Sequence, residues 1–415
     1  MNNFSSDANH IKMDEILERR KFIYNTGIAA LGSIVIPKFS TAANPQKKVR
    51  VGVVGGRFGL TFHFHLHPNS TVEAVSDLIP DRRDALMKTY KCSKSYTSLE
   101  ELIKDPKVDA VAIFTGVPDH AKHTLACLNA GKHVLCAVPA AYTIDECYKI
   151  LRAVKKTGLT YMMAETSYYN QQMIAARELY KKGAFGNILG AAAHYYHPGL
   201  EVLFWDENKR RTWRYGLPPI HYCTHSTSRL ISITGDRLAG VNCLGWGDDS
   251  PILKDNIYKN PFWKETAFFK TKNNLPFEVG VLWRGAIEGT DRGEIYGDKL
   301  SFYDGYKKLP THIIKATDKF GVEEGGFAEA EPEYQELKVP EYWKTDMLPA
   351  PLRRNSGHRG SHTFLTHEFI DSIVNNRKPV IDIYESLAYT APGIIAHKSA
   401  LKNGEYMKIP DFDDN

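Results

Sequence analysis

Two kinds of hydrophobic patterning divide this chain. From Lys48 onward, short apolar runs alternate with helix-length stretches: Val49 to Val54, Val72 to Ser76, Ala110 to Phe114 and Val134-Leu135, with a helical stretch ending at Asn129. Apolar runs of this length, separated by helical segments, predict a parallel, doubly wound sheet. From residue 186 to 305 the pattern changes to apolar–polar alternation, over Ile188 to Tyr196, Leu238 to Gly245, Phe277 to Trp283 and Gly293 to Tyr303. Period two predicts half-buried strands of a large, open, mostly antiparallel sheet. Residues 305–357 are rich in Pro, Lys and Glu with little periodicity and read as a long irregular excursion. A helix is expected from about Phe364 to Asn375. The fold class is therefore α/β. One domain is expected over 45–165 and a second over 166–385, with the segment 386–415 packing back on the body.

A length of 415 residues suits two such domains, and 43% hydrophobic with 24% charged residues excludes a disordered or fibrous chain. The +5 net charge is spread without long basic runs, too even to predict a nucleic-acid partner. No stretch reaches the roughly 18 apolar residues of a membrane-spanning helix. The first 44 residues read as an address. Glu18-Arg19-Arg20-Lys21-Phe22-Ile23 precedes an apolar stretch, Thr26 to Ile36, and then Thr41-Ala42-Ala43. The paired arginines resemble a twin-arginine signal, which predicts export to the periplasm or beyond. Six cysteines (Cys92, Cys127, Cys136, Cys147, Cys223, Cys243) show no Cys-x-x-Cys pair, so most are expected to be buried apolar side chains. Disulfides stay open.

The first apolar run ends in Gly55-Gly56-Arg57-Phe58-Gly59, where glycines would let backbone amides approach a pyrophosphate at a helix N-terminus. The spacing is one residue shorter than Gly-x-Gly-x-x-Gly. Asp77 closes the second run about 20 residues on, where an acid accepts hydrogen bonds from ribose hydroxyls and repels a 2′-phosphate. NAD is favoured over NADP, although Arg82 and Arg83 argue the other way. Thr115 and His120, after the third run, are further candidate cofactor contacts.

Ala130-Gly131-Lys132-His133-Val134-Leu135-Cys136-Ala137-Val138-Pro139 resembles the segment ending in Glu-Lys-Pro of the Gfo/Idh/MocA oxidoreductases. Gly360-Ser361-His362 and the stretch from Arg377-Lys378-Pro379 to Gly404 extend the likeness over most of the chain. The resemblance implies a Rossmann domain joined to an α/β domain whose open sheet carries a sugar-like substrate. It also implies cofactor contacts at Val138 and Pro139 and a homo-oligomer formed through the second sheet. One departure matters: the family's glutamate and lysine fall on Ala137 and Val138, and valine has no proton to give.

The acid–base chemistry must then sit elsewhere. Ile220-His221-Tyr222-Cys223-Thr224-His225 follows Gly216-Leu217-Pro218-Pro219, which predicts a helix from about Pro219 with His221 and His225 on one face. The stretch resembles the Tyr-Pro-Thr-His element of the NAD-dependent glycosidases of the same superfamily, with Tyr222 and His225 on the tyrosine and histidine. Met162-Met163-Ala164-Glu165 resembles their Met-Met-x-Glu segment. Histidine can accept and return a proton near neutral pH. Tyr222, His225, Glu165 and His221 are thus the catalytic candidates. Arg214, Tyr215, Tyr168 and His197 are candidates for holding a sugar ring. His194-Tyr195-Tyr196-His197 is expected at a strand edge and loop, and no metal site is assigned. The reading is an exported NAD-dependent enzyme acting on a sugar or glycoside, with hydride removal at carbon 3 and a captive, recycled cofactor. The alternative is a carbohydrate-binding or scaffold protein that keeps the fold without turnover.

Overall fold

The computed structural model describes residues 48–306, 309–317, 320–322, 328–330 and 332–413. The signal-type segment expected over residues 1–44 lies outside the described residues. Six strands, β1 (Val49–Val54), β2 (Ser70–Ser76), β3 (Ser95–Tyr96), β4 (Ala110–Ile113), β5 (His133–Cys136) and β6 (Tyr161–Met163), form one parallel sheet in the order β3-β2-β1-β4-β5-β6. Every residue of β4 is buried, which is why it reads as an uninterrupted apolar run. The crossover helices α1 (Pro80–Tyr90), α2 (Leu99–Leu102), α3 (Val117–Asn129) and α4 (Ile144–Thr157) follow local signals. Pro118 sits in the first turn of α3. A Thr143–Glu146 capping box opens α4, and left-handed Gly158 at φ 66° closes it.

Between β1 and β2 the expected helix is missing. The glycine turn runs instead into two short 3-10 turns, Phe58–Thr61 and Phe64–Leu66, with His63 left-handed at φ 58°. Phe62 and Phe64 are fully buried, and Phe58 packs against Phe62 and Phe114. The crossover is shaped by seating these rings on the sheet, and Pro68 then ends it before a helix can extend.

The second sheet has nine strands in the order β16-β13-β12-β11-β7-β10-β9-β8-β17. They are β7 (Ile188–Tyr196), β8 (Leu238–Trp246), β9 (Lys264–Thr271), β10 (Pro276–Leu282), β11 (Thr290–Gly297), β12 (Leu300–Tyr303), β13 (His312–Lys315), β16 (Glu333–Glu336) and β17 (Met407–Lys408). The chain also forms a separate hairpin, β14 (Phe320–Val322) with β15 (Ala328–Ala330). Among the described strands, β7 and β10 are the pair that runs parallel within the large sheet. Three expectations change here. His194 to Tyr196 lie on the central strand, not an edge. Gly293 to Tyr303 is a hairpin of two strands. The 305–357 segment is not structureless, since β13 and β16 extend the sheet.

Helices α5 (Gln171–Lys181), α6 (Thr224–Thr234), α8 (Gly357–Val374) and α9 (Ile383–Ala400) pack on these sheets, with α7 (Pro251–Lys254) a single short turn between β8 and β9. The small side chains Ala191 and Ala193 on β7 are buried and let α6 approach closely. The Met163 amide donates to the Ile381 carbonyl at 3.2 Å, and the Ala140 amide to Thr390 Oγ1 at 3.1 Å, so α9 and the segment before it tie the two sheets together. All six cysteines are buried free thiols.

Buried histidines set an acid limit on this fold. Burial, and then the neighbouring His367, push His67 down to about 3, while burial lowers His63 to about 4. Both folded values lie below the ordinary value near 6.5, so the unfolded chain takes up these protons first on acidification. Their stability contribution is complete above about pH 6.5 and is lost as pH falls toward the folded values. The melting temperature is expected to fall steadily between about pH 6.5 and 4 in scanning calorimetry. A flat profile across that window would contradict the neutral burial of these rings.

Candidate active site

The site is built where β1 passes between β2 and β4, the point at which the strand order of the parallel sheet reverses and ligands bind such sheets. Gly55 has φ 108°, and a Cβ there would run into the Phe114 carbonyl; a Cβ on Gly59 would meet the Phe114 ring at 2.8 Å. The turn can therefore only be glycine-built. The Gly55 amide donates to Ser76 O at 2.9 Å and the Gly56 amide to Asp77 Oδ2 at 2.6 Å. The amides of Arg57 and Phe58 have no acceptor among the described residues. Two adjacent free donors at the end of β1 are what a pyrophosphate requires, so the turn fits a dinucleotide despite the missing helix.

Asp77 does a second job that the sequence did not reveal. Its two oxygens accept the Gly56 and Ile79 amides, bracing the turn, and their remaining lone pairs stay available to ribose hydroxyls. Arg83 donates to the Asp77 carbonyl at 2.8 Å, and Arg82 lies 3.8 Å from Glu207, so both nearby arginines have partners. Arg57 also approaches Glu207 at 3.8 Å, and Trp213 lies against Gly116, where a Cβ would meet its ring at 2.7 Å. The 204–215 segment of the second domain thus reaches the glycine turn at one end and the loop after β4 at the other.

Glu165, after β6, and His225, in the first turn of α6, form the centre. His225 Nδ1 and Glu165 Oε1 are 2.7 Å apart, with Glu165 completely buried and His225 nearly so. Burial alone would lower the histidine, but the Glu165 carboxylate outweighs it and holds His225 above its usual value. With Nδ1 directed at the carboxylate, Nε2 has no hydrogen-bond partner among the described residues. The Ser167 amide also donates to Glu165 Oε1, at 2.9 Å. Ser167 Oγ donates to Asp291 Oδ2 at 3.0 Å, and Arg229 Nη2 binds Asp291 Oδ1 at 2.8 Å. Arg229 further pairs with Asp304, so alternating charges run from Glu165 through His225, Asp291 and Arg229 to Asp304. Arg229 overcomes burial to keep Asp291 below the usual carboxylate range, whereas burial dominates at Asp304 and raises it.

Aromatic rings enclose the free side of His225. The Tyr195 ring lies 4.5 Å away, and Tyr222 stacks beyond it at 6.5 Å and meets Trp283 edge-on. Arg214 lies 4.2 Å above Trp213 and 5.4 Å from the Tyr222 ring, and among the described residues no ion pair or hydrogen bond holds its guanidinium. His197 is exposed beside Tyr195 and is influenced by Arg214 and His225. Tyr222, His225, Glu165, Arg214 and His197 are thus gathered into one region.

Other candidates lie elsewhere. Pro219–Tyr222 is a 3-10 turn and α6 begins at Thr224, so His221 and His225 do not share a helix face. His221 packs against Tyr142 and His397, over the buried His397–Glu265 pair at 2.8 Å. Glu265 also accepts the Ile220 amide at 3.0 Å, which fixes the turn carrying Tyr222. Tyr168 lies under Arg177, 4.0 Å from its ring, and Tyr215 is buried among Trp205, Phe204 and Arg211, so neither faces the histidine. His120 is buried, with its nitrogens 2.7 Å from Pro139 O and 3.1 Å from Thr115 O. It fastens two cofactor-side loops together and has no nitrogen left for a nucleotide. Val138 and Pro139 are buried at the end of β5.

Sequence reasoning missed Asp291 and Arg229 altogether. Asp291 and Arg229 carry no motif, and only the pairing of β11 with β7 and the seating of α6 bring them together.

Comparison with known proteins agrees with this geometry. Residues 49–165 match the Gfo/Idh/MocA oxidoreductase family with its NAD-binding Rossmann fold, and residues 330–415 match the C-terminal domain of glycosyl hydrolase 109. A glycosyl hydrolase family 109 protein of Shewanella pealeana is 23% identical over 450 residues, spanning 95% of this chain and 96% of its own. Among solved structures, levoglucosan dehydrogenase in complex with NADH superposes with a TM-score of 0.67 at 18% identity, over 88% of this chain and 100% of its own. Scyllo-inositol dehydrogenase from Lactobacillus casei, with bound NAD(H) and scyllo-inositol, superposes at 0.64 and 16% identity, over 87% and 99%. These two likenesses are of fold. With an NAD-binding Rossmann domain of the Gfo/Idh/MocA oxidoreductases at one end and a glycosyl hydrolase 109 C-terminal domain at the other, the chain is an NAD-dependent enzyme of the oxidoreductase or glycosidase-like kind.

Proposed function

We propose that this chain is an exported enzyme that keeps its NAD through the catalytic cycle and acts on a sugar or glycoside at carbon 3, without net oxidation. The observation that carries this reading is the buried Glu165–His225 pair, with His225 Nε2 free beside Tyr222 and Arg214. Val138 stands where the common dehydrogenases resembling this chain have lysine, so proton handling falls to that pair. When bound, NAD accepts a hydride from a carbinol carbon and gives it back later in the same cycle. His225 Nε2 takes the proton of the carbon 3 hydroxyl, and Glu165 stabilises the imidazolium at Nδ1. Arg214 donates to sugar hydroxyls, and the Trp213 and Tyr222 rings offer faces for a pyranose.

Oxidation at carbon 3 acidifies the neighbouring carbon 2 proton, so its removal expels the carbon 1 substituent and water adds in its place. Return of the hydride leaves a hydrolysed sugar and no change in redox state. Export supports the same scheme, because outside the cytoplasm no NAD pool replaces a lost cofactor. The Arg19-Arg20 segment supports export by a route that carries folded proteins. Leu244, Trp246 and Phe268 are exposed on the outer face of the large sheet and support a homo-oligomer through that face.

Incubation with a panel of 4-nitrophenyl glycosides in deuterated buffer tests the reading. Nitrophenol release with deuterium at carbon 2 of the sugar, and no NADH accumulation, is expected. Stoichiometric accumulation of NADH with an oxidised sugar would contradict the closed cycle.

A further inference from the structure

Asp77 alone does not account for a preference for NAD. An arginine near the acid that ends the second strand is what accommodates the 2′-phosphate of NADP, and Arg57, Arg82 and Arg83 all stand close to Asp77. The Gly56 amide donates to the Asp77 carboxylate, and a Cβ on Gly56 would meet the Arg82 backbone at 2.6 Å, so the glycine turn, Asp77 and the first turn of α1 are packed together. Arg83 is engaged there, donating to the Asp77 carbonyl at 2.8 Å. Arg57 and Arg82 are not held by that acid. Their Nη2 atoms each lie 3.8 Å from one and the same oxygen, Glu207 Oε2. A carboxylate of the second domain therefore stands between the two cations that a 2′-phosphate would use.

A hairpin ordered by its own contacts places Glu207 there. Trp205 and Arg211 form an antiparallel bridge, and the Asp206 amide donates to the Arg210 carbonyl at 2.9 Å. The Asp206 carboxylate ties the tip together, accepting the Asn208 and Arg210 amides at 2.9 and 2.8 Å and Arg210 Nε at 2.7 Å. Lys209, left-handed at φ 58°, completes the turn. The base is held by the 2.7 Å pair of Arg211 with Asp255 and by Trp213, whose carbonyl accepts the Tyr258 hydroxyl and whose ring lies against Gly116. The tip thus carries two adjacent acids with different tasks. Asp206 builds the hairpin, and Glu207 is directed out of it toward the arginines. An isolated surface ion pair contributes little, in part because two long side chains must be ordered to make it. Here the backbone carrying the carboxylate is ordered beforehand, and the carboxylate meets two cations at once.

We propose that Glu207 is a specificity-determining residue of the cofactor site. It neutralises Arg57 and Arg82 and, with Asp77, turns away a ribose that carries a 2′-phosphate. The inference rests on the dinucleotide reading of the glycine turn. Nucleotide choice is then made by both domains: the Rossmann domain holds the cations of an NADP site, and a hairpin of the second domain masks them.

A captive cofactor records the choice made when it loads. The full chain is purified with the nucleotide it carries from the cell and denatured, and the released NAD and NADP are separated and quantified. The wild type is expected to release NAD with little NADP. Glu207→Gln removes the charge at an exposed position with little change of shape, and frees both guanidinia. Its NADP-to-NAD ratio is expected to rise about tenfold, with total nucleotide and melting temperature kept. Adding Arg82→Gln to Glu207→Gln should bring the ratio back toward wild type, because it removes one of the cations that Glu207 masks. An unchanged ratio in Glu207→Gln would overturn the inference while leaving the NAD site standing. So would a raised ratio that Arg82→Gln does not lower, an equal loss of both nucleotides, or a wild type that carries mainly NADP. Wild-type protein that carries no nucleotide would remove the cofactor reading, and this inference with it.

Discussion

His225→Gln is expected to lose about three orders of magnitude in turnover while keeping its nucleotide and its fold. Glutamine can still hydrogen-bond the buried Glu165 carboxylate, so the change removes the base at Nε2 without leaving a bare charge inside the protein. The companion change tests the electrostatics. Glu165→Gln removes the main group that holds His225 above its ordinary value, leaving Asp291 alone to oppose burial, so the histidine drops. A base works only when unprotonated. The acid limb of the pH–rate profile should therefore move to lower pH in Glu165→Gln, even as the maximum rate falls. Steady-state rates across pH 4 to 9, with bound nucleotide measured in the same samples, check both changes. Wild-type turnover in His225→Gln would remove the histidine from the chemistry.

The second large effect is on stability. Arg229 is 2% exposed and pairs with Asp291 and Asp304, the latter equally buried at its side chain. Arg229→Leu would leave two carboxylates facing each other inside the protein. Breaking a buried pair on one side costs about 3–5 kcal/mol, which for a chain of this size corresponds to a melting temperature lower by roughly 5 °C. Adding Asp304→Asn to Arg229→Leu should recover part of the loss, because it removes one of the stranded charges. Calorimetry of the wild type, the single and the double variant makes this measurement. A single variant within a degree or two of wild type would mean that the charges are solvated in a way the packing does not suggest.

The parallel sheet was the most legible part of the molecule. Strands β1, β4 and β5 are short and largely buried, so each appears as an apolar run, whereas β3, Ser95-Tyr96, is exposed or half-buried and carries no such signal; Gly158 and Pro118 stand at helix limits as glycine and proline ordinarily do. The β1–β2 crossover misled because a glycine turn ordinarily announces a helix, and only packing shows that Phe58, Phe62 and Phe64 must reach the sheet instead. The 305–357 segment hid its strands for a different reason. Glu333, Tyr334, Gln335 and Glu336 of β16 are all exposed, so the strand has no buried face to impose a period of two.

The site divides along similar lines. His225, Tyr222 and Glu165 were visible through local resemblance. His221 was paired with His225 by assuming one continuous helix, whereas a 3-10 turn precedes α6 and turns His221 toward His397. Asp291 is 66 residues beyond His225 on a different element, and no local spacing encodes a contact made by strand pairing.

The central claim is that a nicotinamide dinucleotide is held captive at the glycine turn, within reach of His225 and Tyr222. Denaturing the purified protein and assaying the supernatant for nicotinamide nucleotide tests this most directly. About one NAD per chain is expected, present without any having been added. A supernatant free of nucleotide, together with a melting temperature that added NAD does not raise, would contradict it.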